Sequence, residues 1–156
     1  MIVSDASPLI VLLKTNNITI LKDLFQQITI PQAVYKEITA KKQEKSLFDK
    51  IDWIKIRKIK NADMASFIEK LLDKGETEAI ILAKELQTKL LIDDAKARKY
   101  AKMLDIEVIG TLGLLKMAKT HGIIISVRGV ISKMLDEGYY INDELIKSLL
   151  IDVGET

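Results

Sequence analysis

Short apolar runs recur along this chain, each followed by a stretch with helical spacing, and this alternation is what most limits its fold. Ile2, Val3 and Ser4 form the first run, Ile28, Thr29 and Ile30 the second. Residues 53–59 alternate as an edge strand does, and two more runs follow: Leu90, Leu91 and Ile92, then Glu107, Val108 and Ile109. Strands separated by helices cannot pair as tight hairpins, so each must return by a crossover. The expected architecture is a three-layer α/β domain with a mostly parallel sheet.

The intervening segments carry their own punctuation. Ser7 and Pro8 supply an N-cap and a first-turn proline for a helix over 9–14, and Asn16 with Asn17 breaks it. A helix over 18–25 precedes the second strand, and Pro31 opens the next helix, where Ala33, Val34 and Ile38 form one stripe. Residues 41–50 read as a short helix or a loop, and Asn61 or Asp63 caps a helix running to residue 72. Lys74 and Gly75 break that helix, and Glu76 begins a stronger one that buries Ala79, Ile80, Leu82, Ala83 and Leu86. Residues 95–104 form a basic amphipathic helix, and 111–119 another that ends at His121 and Gly122. Thr111 is its N-cap or a site hydroxyl. Helices over 127–136 and 143–150 close the chain, which divides into a core of residues 1–122 and a helical appendage, 123–156, of the same domain.

Composition narrows the chemistry. Among 156 residues there is no Cys and one His, which removes disulfides, thiolate metal sites, thiol nucleophiles and multi-His metal centres. Carboxylates with hard metal ions remain as the available tools. The net charge of +2 is neutral toward a polyanionic partner, yet Lys96, Arg98, Lys99 and Lys102 cluster directly after Asp93 and Asp94. No apolar run approaches the roughly 20 residues that span a bilayer, and the N-terminus lacks the pattern of a signal peptide, so a cytoplasmic protein is expected.

Ligands of open α/β sheets gather outside the carboxyl ends of the strands. Asp5 ends the first strand there, and Asp93 and Asp94 end a central one. Each acid has a plain structural reading too: Asp5 as a turn cap, Glu76 as a favourable first-turn charge, Glu37 as a partner of Lys41 one turn on, and either aspartate of the pair as a helix cap. Taken together, several carboxylates at strand ends are what Mg²⁺ or Mn²⁺ takes as ligands. Such an ion activates water and clamps a phosphodiester without any Cys or His. No Walker loop and no dinucleotide-binding glycine motif competes.

At these residues the chain resembles the PIN-domain family, and within it the VapC-like branch that begins with an Asp-x-Ser-Pro-Leu-Ile motif. The matching pieces are Asp5-Ala6-Ser7-Pro8-Leu9-Ile10, Ile30-Pro31-Gln32-Ala33-Val34-Tyr35-Lys36-Glu37-Ile38, Gly75-Glu76-Thr77-Glu78-Ala79-Ile80, Leu91-Ile92-Asp93-Asp94-Ala95-Lys96-Ala97-Arg98 and Gly110-Thr111-Leu112-Gly113-Leu114-Leu115. The resemblance implies a Rossmann-like PIN fold and a Mg²⁺- or Mn²⁺-dependent endoribonuclease. It implies catalytic Asp5, Glu37, Glu76 and Asp94, metal ligands among Asp5, Glu76, Asp93 and Asp94, and RNA contacts from Ser7, Lys96, Arg98, Lys99 and Lys102. The third acid is Glu76 where the family usually has Asp, and Asp93 stands where many members carry Asn or Ser. Similar members are commonly toxins of type II toxin–antitoxin modules, which implies a small antitoxin partner and a homodimer. Rival readings are a PIN-like module that binds RNA or protein without cutting, a DNA-directed nuclease, and a receiver-like phosphoacceptor domain. The last wants a Lys after a late strand, where this chain has Gly110 and Thr111.

Overall fold

A computed structural model describes residues 1–156 in full. One sheet of five parallel strands forms its middle layer: β1 (Ile2–Ser4), β2 (Ile28–Pro31), β3 (Ile54–Arg57), β4 (Lys89–Leu91) and β5 (Val108–Ile109). Their spatial order is β3-β2-β1-β4-β5. Ile2 sits opposite both Ile28 and Lys89, so β1 is central and its three residues are buried. The strand predicted over 53–59 is the edge strand β3, where Lys55, Ile56 and Arg57 are exposed.

Ten helices connect and cover the sheet: α1 (Ala6–Lys14), α2 (Thr19–Phe25), α3 (Gln32–Ile38), α4 (Lys42–Phe48), α5 (Ala62–Ile68), α6 (Lys74–Leu86), α7 (Ala95–Met103), α8 (Thr111–Thr120), α9 (Val127–Asp136) and α10 (Asp143–Asp152). The chain moves outward from β1 through β2 to β3, then crosses back to β4 and β5 on the other side. Right-handed crossovers place connections of opposite direction on opposite faces, which gives the three layers. The long α6 packs on β1, β2 and β4 and against α5 and α7, while α1 packs on α3 and α4. A single cluster of 38 buried apolar residues runs from Ile2 to Leu150 and takes in Val127, Val130, Ile131 and Met134 of α9. No helix is long and apolar enough to cross a membrane.

Three helix starts differ from the expectation, two of them directly after a strand and one at the start of α6. The N-cap of α1 is Asp5 rather than Ser7, and Pro8 lies in the first turn, where a missing N–H costs nothing. The break at Lys74 and Gly75 is instead the first turn of α6, because Asp73 and Glu76 close a reciprocal capping box around it. Gly110, not Thr111, is the N-cap of α8. His121 does end α8, its Nδ1 2.8 Å from the carbonyl oxygen of Met117.

Candidate active site

The reversal of strand order places the carboxyl ends of β1 and β4 side by side, and Asp5 continues that pairing one residue beyond β1. Its N–H donates to the carbonyl of Leu91 at 2.9 Å. Asp5 is only 6% exposed, and its side chain makes no capping bond to α1. Burial pushes its carboxyl up to about 7, against the pull of the Ala6 N–H. The charges of Glu37, Glu76 and Asp73 push in the same direction as burial.

Those three acids arrive on two helices. α3 begins where β2 ends, and it is tied to α6 by Glu78, whose Oε1 accepts from the N–H of Ala33 at 3.1 Å. This docking brings Glu37 against the first turn of α6: a Cβ on Gly75 would stand 2.6 Å from Glu37 Oε1. A side chain at position 75 would push the Glu37 carboxylate away. Burial, then the charge of Asp73, raises the carboxyl of Glu37 above its ordinary value.

Asp73 and Glu76 share the capping box. The N–H of Glu76 donates to Asp73 Oδ1 at 2.8 Å, and the N–H of Asp73 donates to Glu76 Oε1 at 3.2 Å. Glu76 is half-buried, and its carboxyl rises to about 7, first through burial and then through the charges of Asp73 and Asp94, with the Asp73 N–H pulling it down. Asp73 is thus a fifth acid of the cleft that the sequence reading did not single out. Its signal was present in Asp73-Lys74-Gly75-Glu76, the spacing of a capping box, hidden by reading the glycine as a helix break.

The adjacent aspartates after β4 separate into two jobs. Asp93 accepts from Thr111 twice, from the N–H at 2.7 Å and from the hydroxyl at 2.5 Å, which fastens the end of β4 to the start of α8. Asp94 caps α7 through one oxygen, which accepts from the Ala97 N–H at 2.9 Å, and its charge reaches Glu76.

Asp5, Glu37, Asp73, Glu76 and Asp94 therefore face one another electrostatically without a basic partner. The ion pairs of the chain involve Glu44, Asp49, Glu107, Asp152 and Glu155, and none of the cleft acids. The burial of Asp5 and the partial burial of Glu76, with acid charges beside both, favour either a proton or a cation there. The donor set is oxygen alone and suits a hard divalent ion. No three of these acids meet closely enough to enclose an ion.

Of the residues expected to hold nucleic acid, Ser7 is exposed in the first turn of α1, and Lys96, Lys99 and Lys102 are exposed on α7, with Arg98 half-buried. None of these cations is ion-paired within the chain.

A family model described as a PIN domain matches residues 1–155. No curated protein and no solved structure matches the chain.

Proposed function

The chain belongs to the PIN-domain family, and on that premise we propose that it is a metal-dependent endoribonuclease that hydrolyses RNA phosphodiesters. PIN domains are typically nucleases that use divalent metal ions and bind RNA. The observation that carries the reading to this chain is the set of unpaired acids at the switch point, two of them pushed up to about 7. Asp5, Glu76 and Asp94 are the ligands in this reading, with Glu37 completing the cleft. Asp94 ranks above Asp93 because both oxygens of Asp93 are engaged by Thr111. A bound Mg²⁺ or Mn²⁺ supplies an acidified water and positive charge beside the phosphodiester.

The chain's own groups do the rest. Asp5, buried and fixed through its backbone to β4, anchors the cleft floor. Gly75 lets Glu37 approach α6, and Asp73 orients Glu76. Lys96, Arg98, Lys99, Lys102 and Ser7 hold phosphates of the substrate on the rim. We read residues 1–122 as the nuclease core and 123–156 as its appendage, a reading supported by the shared apolar core. The Asp5-Ala6-Ser7-Pro8-Leu9-Ile10 motif supports assignment to the VapC-like branch. On that basis the protein is the cytoplasmic toxin of a type II toxin–antitoxin module, with a small antitoxin partner, and a homodimer.

A second reading, a PIN-like RNA- or protein-binding module that does not cut, is favoured by two observations. Glu76 is held in a capping box, and no three acids enclose an ion site. The two readings separate in one assay. The nuclease cleaves RNA with Mn²⁺, loses all cleavage in EDTA and recovers on adding Mn²⁺ back, and Asp5→Asn abolishes cleavage with the fold kept. Tight RNA binding with no cleavage under any divalent ion decides for the second reading.

A further inference from the structure

The outer edge of β3 carries hydrogen-bonding groups that the fold leaves unused. β3 pairs with β2 on one side and ends the sheet on the other. A strand directs alternate peptide groups to its two sides, so an edge strand presents N–H and carbonyl groups outward. Apart from the pairing with β2, no backbone group of Lys55, Ile56 or Arg57 makes a hydrogen bond, and all three residues are exposed.

The two faces beside that edge differ in character. Ile54 and Ile56 point to the α3 side and Lys55 and Arg57 to the other, by the alternation of a strand. On the α3 side a cavity of 450 Å³ is lined by Gln32, Tyr35, Lys36, Ile56 and Lys58. Tyr35 rests against the tilted ring of Phe48, 5.8 Å away between centroids, while Ile56 stays 43% exposed. On the other side Lys55 and Arg57 have no ion-pair partner, and on the cavity rim neither do Lys36 and Lys58. The excess of cations continues along the chain, with eight basic residues against three acids over residues 41–60.

These features select one kind of occupant. Unused main-chain groups along a strand match another extended peptide, and a cavity beside the strand takes its alternate side chains. A second copy of β3 is a poor match, because Lys55 and Arg57 of two copies would meet like charge across the new pair. The same cations attract a segment of opposite sign. We infer that β3 takes up an extended acidic segment of another protein as an added strand, with its apolar residues on Ile56 and Tyr35 and its carboxylates toward Lys55 and Arg57. This edge uses none of the cleft acids, so the inference stands whether or not the protein cuts RNA.

The probe is a fluorescein-labelled decapeptide alternating Glu with Val, and its binding to the full chain is followed by anisotropy at low salt. Binding should saturate and should weaken as salt rises. Lys55→Glu combined with Arg57→Glu should weaken it about tenfold or more, with circular dichroism showing the fold kept. A probe of the same sequence, N-methylated along its central residues, keeps every charge but loses its main-chain donors. It should bind at least about tenfold more weakly, since pairing with an edge supplies the affinity in this mode. The inference is overturned if the parent protein does not bind the probe, or if the charge-reversed variant binds as the parent does. It is equally overturned if the N-methylated probe binds as well as the first, as for attraction by charge alone. Displacement of the labelled probe by oligouridylate as effectively as by unlabelled peptide would also overturn it, making the edge a nucleic-acid face.

Discussion

The carboxylate of Glu37 occupies the space that a side chain on Gly75 would need, with Oε1 2.6 Å from where a Cβ would stand. A glycine in the first turn of α6 is therefore part of the cleft, because α3 and α6 approach closely enough there to bring Glu37 toward Asp73 and Asp5. Gly75→Ala should separate stability from activity. Alanine improves helix propensity by up to about 1 kcal/mol and pushes Glu37 outward. The expected result is an unchanged or higher melting temperature with RNA cleavage reduced by roughly a hundredfold or more, the low end for displacing one acid–base group. Equal activity in the variant would show that the position of Glu37 does not matter.

The raised carboxyl of Asp5 makes stability depend on pH in a definite direction. Its pKa moves from 3.8 to about 7 on folding, so between those values the folded state holds a proton that the unfolded chain has released. Stability therefore falls as pH rises through that window and levels off above it, by up to about 4 kcal/mol at ~1.36 kcal/mol per unit. Asp5→Asn should flatten this slope in thermal melts run in EDTA, leaving the part that Glu76 contributes in the same direction. It should also raise the melting temperature at alkaline pH while cleavage is lost. An unflattened slope would place the titration elsewhere.

A divalent ion binding only the folded protein stabilises it by mass action, about 2.7 kcal/mol at a hundredfold excess over Kd. Mn²⁺ should raise the melting temperature above pH 7, where the cleft acids are ionised, and much less near pH 5. Asp5→Asn should remove the shift and Glu76→Gln should reduce it. A shift that survives Asp5→Asn would move the ion site out of this cleft.

The two aspartates after β4 should respond oppositely. Asparagine is a good N-cap, so Asp94→Asn should melt within about 0.5 kcal/mol of the parent and lose cleavage. Asp93→Ala frees both Thr111 donors and should cost about 1 kcal/mol or more, with activity falling through the loosened α8. Paired melts and cleavage assays check the contrast.

Glu155 predicts an acid limit at the far end of the molecule. It accepts from the Ser126 hydroxyl and from the N–H groups of Val127 and Arg128, and it pairs with Lys119 at 3.3 Å. The N–H of Val127 contributes most to lowering its carboxyl to about 2 from 4.5. An acid lowered on folding stabilises above its unfolded value, and that stability is lost as pH falls from about 4.5 toward 2. Glu155→Gln should lower the melting temperature at neutral pH and remove this acid-side loss. Unchanged melts at both pH values would mean that α9 is secured by its apolar face alone.

Much of the fold was legible because it rests on local pattern. Apolar runs with β-branched residues formed the strands, and α9 spans the residues that the helical spacing predicts, Val127–Asp136. The errors fall at Asp5, Asp73 and Gly110, helix starts that follow strand ends or adjoin the cleft. There the cap is chosen by how a strand exits the sheet and by which neighbours accept the first N–H groups, and both are matters of tertiary contact.

By itself, then, the sequence determined the kind of site available: no Cys and one His left carboxylate oxygens as the main donors, alternation of strands with helices pointed to a parallel sheet, and Asp5, Asp93 and Asp94 stood at strand ends. Tertiary structure alone decided which acids share the cleft. Strand order set Asp5 beside the end of β4, the fit of Glu37 over Gly75 joined α3 to α6, and Thr111 drew Asp93 away from Asp94. Residues far apart in the chain become electrostatic neighbours only once packing fixes the distances between them, and charge interactions depend on those distances and on burial rather than on order in sequence.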